Sequence, residues 1–282
     1  MNKNFVLHYP GGSLPLHRCR VMGVLNITPD SFSDGGMFTL LDDAITRAWE
    51  IVDEGGDILD VGAESSRPGA EPVSEQEEIK RLSPLLEALS KEHYPLPISL
   101  DTYKPSVLSH FTKKGWVQIA NDITGLRNRD MFEIATSYNI PIIAMHMFGT
   151  PQTMQEDYTY ENVVDDLCTF FQQTLETYDF AKNIIIDPGI GFGKSVAHNL
   201  EIIDRLNDFH VLNAPILVGA SRKSFIGKSL NLEVNERLEP SLAVAALAVD
   251  RGCHILRAHD VKETRKVVQM VEKIHSIRTP LE

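Results

Sequence analysis

Two basic segments of this chain carry the residue types that bind anions. The first is the Ser-Arg-Lys-Ser stretch at residues 221–224, and the second holds Arg257 and His259. Arginine can bind a phosphate or carboxylate through two hydrogen bonds at once, whereas lysine offers a compact point charge. The second segment also lies just before an expected helix, whose first backbone N–H groups attract anions. The sequence therefore favours a binding site for an anionic small molecule, and a solvated basic face is the alternative.

Each of eight short apolar runs in the chain ends in polar residues. These residues are Asn26, Glu64, Asp101, Asn121, His146, Asp187, Ser221 and Arg257. Any single one could be a helix cap or a satisfied structural group, and that alternative stays open for each. Eight such endings gathered on one face would form a site. For His146, which lies between two methionines, we expect packing and no catalytic role.

The glycine-rich stretch DPGIGFGKS at residues 187–195 does not fit a nucleotide-binding loop. Pro188 occupies the place of the first glycine of a Walker loop, and Lys194 occupies the place of the last glycine of the G-x-G-x-x-G pattern. Glycines also allow a backbone to pass close to a flat ligand, and Phe192 would then supply an apolar wall. The alternative interpretation is a tight turn between a strand and a helix.

Metal and nucleophile motifs are missing from the sequence. It contains no H-E-x-x-H, no paired metal-binding histidines and no G-x-S-x-G, and its three cysteines are far apart. A hard cation remains possible, because Mg²⁺ needs few protein ligands when a diphosphate supplies the others. The side-chain carbonyl of Asn26 would serve in that way. The polar, glycine-punctuated residues 28–36 that follow Asn26 predict a mobile loop that forms a site or its lid.

The elements that position these residues follow from the alternation of apolar runs with stretches of helical period, which predicts βαβ units. The eight predicted strands are residues 20–26, 58–63, 97–100, 117–123, 141–146, 183–187, 215–219 and 254–258. The predicted helices lie near residues 41–54, 74–91, 105–114, 129–138, 160–180, 200–209, 238–250 and 261–276. This pattern predicts a (β/α)8 barrel, whose functional groups follow the strands, with an open doubly wound sheet as the alternative.

Composition sets the remaining bounds. A chain of 282 residues with 43% hydrophobic positions can bury one large core, so we expect a single domain over residues 1–282. Alternation around Gly11 and Gly12 predicts a β-hairpin within residues 1–19 that covers one end of the domain. The net charge of -12 argues against nucleic acid or an anionic membrane as a partner. Without an apolar run of about 18 residues or a signal peptide, the cytoplasm is the expected compartment.

Seven motifs in this order resemble those of the dihydropteroate synthase family, over nearly the whole chain. They are GVLNITPDSFSDGG (23–36), DVGAESSRPGA (60–70), SLDT (99–102), NDI (121–123), DPGIGFGK (187–194), GASRKSFIG (219–227) and RAHDVKE (257–263). The resemblance implies a transferase of folate biosynthesis. Such an enzyme joins a dihydropterin methyl diphosphate to 4-aminobenzoate on a pterin-binding barrel, with Mg²⁺ as cofactor and a homodimer as the assembly.

The resemblance also implies roles for individual residues. The pterin contacts would be Asp101, Asn121, Met145, Asp187, Lys223 and Arg257, of which Asp187 would accept adjacent N–H donors of the ring as its anchor. The diphosphate would meet Asn26, Ser66, Arg257 and His259, and Asn26 would also hold Mg²⁺. The 4-aminobenzoate would meet Phe32, Ser66, Arg67, Phe192 and Ser224. The residues implied in catalysis are Asp34, Arg67, Lys223 and Arg257.

The implied mechanism is dissociative: diphosphate leaves, a pterin cation forms, and the arylamine attacks its exocyclic carbon. Loop residues such as Asp34 would stabilise positive charge and help to exclude water. Two positions depart from the usual family pattern, since Ser66 replaces threonine and Tyr103 replaces serine. A pterin-dependent methyltransferase domain and a non-catalytic pterin-binding paralogue are the alternative hypotheses. The first would have no use for Arg257 with His259, and the second would be expected to lack Asp34 or Arg67.

Overall fold

The computed structural model describes residues 5–27, 37–65, 70–150, 153–154, 158–178 and 183–278. The strands in these ranges are β1 (Val6–Tyr9), β2 (Gly12–Pro15), β3 (Arg20–Asn26), β4 (Ile58–Gly62), β5 (Ile98–Asp101), β6 (Ile119–Asp122), β7 (Ile142–Met145), β8 (Ile184–Asp187), β9 (Leu217–Val218) and β10 (Ile255–Ala258). The helices are α1 (Met37–Asp53), α2 (Glu75–Lys91), α3 (Pro105–Thr112), α4 (Arg129–Ser137), α5 (Val163–Thr177), α6 (Val196–Asp204), α7 (Ser224–Leu230), α8 (Leu238–Asp250) and α9 (Val261–Arg278).

Strands β3 to β10 form one parallel sheet that closes into a barrel. Their order is β8-β7-β6-β5-β4-β3-β10-β9, and a parallel bridge between Ile186 and Ile216 joins the two ends of that order. The strands are almost entirely buried, as expected where helices cover a sheet on its outer face. The predicted (β/α)8 barrel is confirmed, and the alternative of an open sheet is wrong.

All eight predicted strands are present, but the helices differ from prediction in two places. The helix predicted at residues 200–209 begins earlier as α6, because Ser195 caps it by accepting a hydrogen bond from the His198 backbone N–H at 3.1 Å. A 3-10 helix, Leu206–Leu212, follows it. The seven-residue helix α7 was not predicted from periodicity, because two helical turns are too short to show a clear hydrophobic period. In the described ranges, no helix has the length and hydrophobicity needed to cross a membrane.

The N-terminal hairpin closes the bottom of the barrel, at the amino ends of the strands. Strands β1 and β2 pair antiparallel, and Leu7 and Leu16 are buried against the first inward-facing residues of the barrel strands. Those floor residues are Met22, Ile58, Ile119, Ile143, Ile185, Leu217 and Ile255. The hairpin and its predicted position over one end of the domain are confirmed.

The alternation of side chains along a strand places the polar residues directly above this floor. Successive residues of a strand point to opposite faces, so the second residue after each floor position faces the barrel interior again. At four of the seven floor positions the upper residue is polar: Asp60 above Ile58, Asn121 above Ile119, Asp187 above Ile185 and Arg257 above Ile255; the other three are Val24, Met145 and Gly219. The same two-residue period therefore builds an apolar floor and a polar layer above it.

Candidate active site

Arg257 connects two carboxylates at the centre of the polar layer. Its Nε donates to Asp60 Oδ2 at 2.7 Å, and its Nη2 donates to Asp101 Oδ2 at 2.7 Å. The Asp60 side chain is 0% exposed and that of Arg257 is 21% exposed. Hydrogen bonds between ionised partners are short and strong, and both contacts have that length. The guanidinium is thus held in one orientation across the barrel interior.

Asp60 is part of the site, although the sequence analysis assigned it no role. Besides Arg257, it accepts long hydrogen bonds from the Asn121 side-chain amide, whose Nδ2 lies 3.4 and 3.3 Å from its two oxygens. The signal that would have found Asp60 is its position two residues after Ile58 on the inward face of β4. A carboxylate inside an apolar strand is rarely left without a charged partner.

The charges in this layer shift the acidity of the groups that face it. Burial raises the pKa of Asp101 to about 7; Arg257 opposes the shift, and the charge of Asp60 adds to it. Burial acts against the charge of Arg257, but Asp60 and Asp101 more than compensate and raise the pKa of Arg257 above its usual value. The arginine therefore stays cationic, whereas Asp101 can exchange a proton near neutral pH.

Asp187 lies at the carboxyl end of β8 and faces the ammonium of Lys223. The Gly189 backbone N–H donates to Asp187 Oδ1 at 2.7 Å. Burial raises the pKa of Asp187, and the positive charge of Lys223 opposes that shift. Burial likewise lowers the pKa of Lys223 to about 8, and Asp187 opposes it. The Lys223 ammonium donates to the Ile190 carbonyl at 2.5 Å and lies 4.3 Å from the centre of the Phe192 ring.

An apolar wall completes the side of the site nearest β6 and β7. Met145 is buried in a cluster with Ile123, Met147 and Met154, and the rings of Tyr103 and Phe192 pack against that cluster. The Tyr103 hydroxyl donates to Glu64 Oε1 at 2.8 Å. The tyrosine that departs from the family pattern therefore has a packed ring and a bonded hydroxyl.

The rim of the site holds His259, Ser224 and Asn26, all of them exposed. The His259 Nδ1 lies 3.2 Å from Ser221 Oγ. Desolvation by surrounding protein atoms and the charge of Arg257 lower the pKa of His259. Ser224 is the first residue of α7, and Asn26 ends β3.

One of the predicted anion-binding residues is already engaged by a carboxylate. Arg222 donates through Nε and Nη2 to the two oxygens of Asp260, each at 2.8 Å. Lys223 is therefore the cation of residues 221–224 that faces the interior of the barrel. Four other predicted site residues, Phe32, Asp34, Ser66 and Arg67, lie outside the described residues.

Asn26 is the candidate metal ligand, and it is not part of an acidic cluster. It pairs in register with Gly62 of β4, and its Oδ1 lies 3.6 Å from the position that a Cβ on Gly62 would occupy. Within the described part of the chain, no three or more His, Cys, Asp or Glu residues are grouped so as to hold a metal ion. An exposed amide oxygen fits a hard cation that a bound diphosphate also coordinates, because such a cation needs few protein ligands.

The arrangement can bind a flat, polar-edged ring that carries an anionic group. Asp101, Asn121 and Asp187 present acceptors and one amide donor to a ring edge, and Met145 and Phe192 offer apolar contact to its faces. The cations Lys223 and Arg257 lie between this ring site and the rim. An anion attached to the ring would therefore reach toward His259 and Asn26.

Comparisons with known proteins agree on one family. The family described as pterin binding enzyme matches residues 22–259. The dihydropteroate synthase of Escherichia coli K12 is 44% identical over 266 residues, which cover 93% of this chain and 94% of that protein. The dihydropteroate synthase of Bacillus subtilis is 43% identical over 253 residues, with 89% and 87% covered.

Two solved structures extend this likeness to the fold. A Yersinia pestis dihydropteroate synthase in a sulfonamide drug complex has a TM-score of 0.89 and 40% identity, and the match covers 96% of this chain and 100% of that one. A Xanthomonas albilineans dihydropteroate synthase with 4-aminobenzoic acid has a TM-score of 0.90 and 35% identity, with 97% and 99% covered.

Proposed function

Because this chain belongs to the dihydropteroate synthase family, we propose that the polar layer of its barrel is where the reaction of that family takes place. The enzyme is a transferase of folate biosynthesis that joins a dihydropterin methyl diphosphate to 4-aminobenzoate and releases diphosphate. Of the three hypotheses drawn from the sequence, the synthase is the one that the names of the relatives support. The observation that carries the site proposal is that Asp101, Asn121, Asp187 and Arg257 share one layer of the barrel interior.

The pterin ring binds in this layer with its polar edge toward Asp187. An ionised carboxylate accepts two adjacent N–H donors of an amino-pyrimidinone edge, and Asn121 can both donate and accept there. Lys223 donates to the oxo side of the ring. Arg257, fixed by Asp60 and Asp101, lays its guanidinium against the ring, since its planar group stacks well on aromatic faces. Met145 contributes the apolar contact.

The diphosphate binds at the rim, with Arg257, His259, Ser66 and Asn26 as its contacts. The Asn26 carbonyl oxygen would hold Mg²⁺, which would supply positive charge to offset the negative charge of the leaving group. The His259 ring donates an N–H to a phosphate oxygen. The 4-aminobenzoate meets Phe192 and Ser224, and from the sequence we add Phe32, Ser66 and Arg67.

The chain's own residues favour a dissociative path by the charges they place around the ring. Loss of diphosphate leaves positive charge on the pterin, and Asp101 and Asp187 lie where they would stabilise that charge. Lys223 and Arg257 hold the ring in place while the bond breaks. The apolar wall at Met145 and Phe192 excludes water that would otherwise capture the cation. From the sequence, we assign Asp34 and Arg67 to the same step.

We also propose a homodimer, formed through α8 and α9, and a cytoplasmic location. Four large apolar side chains on these helices are exposed: Leu247, Met270, Ile274 and Ile277, by 46%, 61%, 44% and 77%. Large apolar groups clustered on a surface mark interaction sites. Sedimentation of the wild type as a dimer, and of Met270→Glu as a monomer, would support the assembly. Identical sedimentation of the two proteins would oppose this interface.

The decisive assay measures diphosphate release from dihydropterin methyl diphosphate with and without 4-aminobenzoate. Release that requires the arylamine is expected for the wild type. Arg257→Met should abolish it, whereas Lys91→Met should not change it, because the Lys91 side chain is 73% exposed on α2. Release that is indifferent to 4-aminobenzoate would contradict the proposed transfer.

A further inference from the structure

A buried lysine lies directly behind the proposed pterin site, and none of the steps above uses it. Lys194 is 5% exposed and follows the loop of residues 188–193 that leads from β8 to α6. Its ammonium lies within hydrogen-bond distance of three carbonyl oxygens, those of Gly189 at 3.1 Å, Phe192 at 3.0 Å and His146 at 3.3 Å. A lysine this deeply buried is uncommon and calls for a physical reason.

A fourth contact joins Lys194 to the ring of His146, whose Nδ1 lies 3.1 Å from the ammonium nitrogen. Burial lowers the pKa of Lys194 to about 7, and the charge of Asp187 opposes that shift. In its ammonium form Lys194 has donors and no acceptor, so Nδ1 then accepts and the imidazole proton is on Nε2. Burial and the charge of Lys194 both lower the pKa of His146, to about 2, which keeps the ring neutral. The ammonium therefore lies between two loops, the one after β7 and the one after β8.

The loop after β8 needs contacts from other segments because its three glycines allow its backbone many conformations. Gly189, Gly191 and Gly193 all have positive φ, at 68°, 84° and 59°, and glycine loses the most conformational entropy on folding. At Gly189 a Cβ would lie 1.9 Å from the His146 carbonyl oxygen, so the close approach of the two loops excludes any side chain there. Contacts from outside the loop must supply its rigidity.

Side chains outside the loop supply several hydrogen bonds to its backbone. Asn199 accepts from the Gly191 N–H at 2.6 Å, and Tyr160 donates to the Gly193 carbonyl at 2.9 Å. Lys194 is the member of this set that binds two loop carbonyls at once and also carries charge. Its positive charge acts on Asp187, together with the charges of Lys223 and Arg257, to favour the ionised carboxylate.

We infer that Lys194 is a positioning residue of the pterin site. Its amino group holds the loop that carries Phe192 and lies behind Asp187, so that both side chains are in place before the pterin ring binds. The inference rests on the proposed function. It assigns Lys194 to the ring half of the site and leaves the diphosphate half at the rim independent of it. A group that merely stabilised the fold would affect both halves together.

The test compares two probes, hydroxymethyl pterin and inorganic diphosphate with Mg²⁺, by calorimetry on the full chain. Lys194→Met keeps the length of the side chain and removes its donors and charge. We expect it to weaken hydroxymethyl pterin at least about tenfold, the effect of losing about 1.4 kcal/mol of binding, and to change diphosphate affinity by less than about twofold. Tyr160→Phe is the uncharged control, because it removes one loop hydrogen bond and should weaken the pterin less.

Equal losses for both probes, or no loss for the pterin, would overturn the inference. If Lys194→Met does not fold, two variants of its partner decide. His146→Asn keeps an acceptor near the place of Nδ1, whereas His146→Leu removes it, so only His146→Leu should weaken hydroxymethyl pterin selectively. Identical pterin affinities in these two variants would refute the role. A wild type that binds no pterin at all would instead refute the proposed function, so the two failures are distinguishable.

Discussion

Replacing Asp60 by asparagine tests whether the buried ion pair organises the site. The carboxylate is 0% exposed and accepts from Arg257 at 2.7 Å. A hydrogen bond to a charged group contributes about 1.5–3 kcal/mol to stability. If the Arg257 N–H faces the N–H of the new amide, it is a buried donor without an acceptor, which costs about 1–3 kcal/mol. Relief of the repulsion between Asp60 and Asp101 offsets part of that sum. We expect the free energy of unfolding to fall by about 3 kcal/mol, the lower end for breaking a buried pair.

A surface ion pair of the same chemistry provides the matched control. Asp204 accepts from Arg251 at 2.8 Å, but its side chain is 75% exposed. Exposed pairs contribute about 0–1 kcal/mol, so Asp204→Asn should change stability by less than that. Urea-induced unfolding at pH 7 measures both variants, and pterin diphosphate kinetics should show a lower kcat/KM for Asp60→Asn alone. Equal destabilisation by the two substitutions would refute the argument that burial makes the Asp60 pair important.

Three further predictions concern other charges. Asp187→Asn replaces an acceptor oxygen with a donor, so calorimetry should show hydroxymethyl pterin affinity reduced at least about tenfold; unchanged affinity would remove Asp187 from the ring site. Lys104→Met leaves the buried carboxylates of Glu64 and Glu78 without their shared ammonium, and chemical denaturation should record a loss of about 3–5 kcal/mol. Because the pKa of Asp101 rises to about 7 from 3.8, the folded protein retains a proton that the unfolded chain has released. Its contribution to the free energy of unfolding therefore falls from about pH 4 to about pH 7, and parallel pH profiles for the wild type and Asp101→Asn would contradict this.

The order of strands and the polar ends of those strands could be predicted because both are local features of the sequence. Short runs rich in Val, Ile and Leu alternate with amphipathic stretches, and each run is followed by residues that do not suit a core. Where a helix begins is also local in principle, since Ser195 caps α6 through His198 three residues later. The predicted start of α6 at residue 200 was wrong because the apolar period begins there, whereas the capping residue Ser195 marks the true start of the helix.

Features that depend on contacts between distant segments could not be predicted in this way. Lys194 follows a glycine-rich loop, where a lysine is usually solvated, and its burial depends on His146, 48 residues earlier. Arg222 was expected to bind an anion, but Asp260, 38 residues later, occupies it. Sequence spacing cannot indicate which of two neighbouring cations meets a carboxylate of the same protein and which stays available to a ligand.

The charges inside the barrel also explain why the pterin ring and the diphosphate would bind at different depths of one site. Three carboxyl groups, those of Asp60, Asp101 and Asp187, lie among three basic side chains, those of Arg257, Lys223 and Lys194. A neutral pterin ring can enter this layer without leaving a buried charge uncompensated. A diphosphate carries several negative charges, so deep placement beside the carboxylates would be unfavourable, and the exposed rim at His259 and Asn26 is where water and a cation can share that charge. When the diphosphate leaves, the positive charge that develops on the ring remains among the carboxylates. The depth of each group therefore follows from its charge.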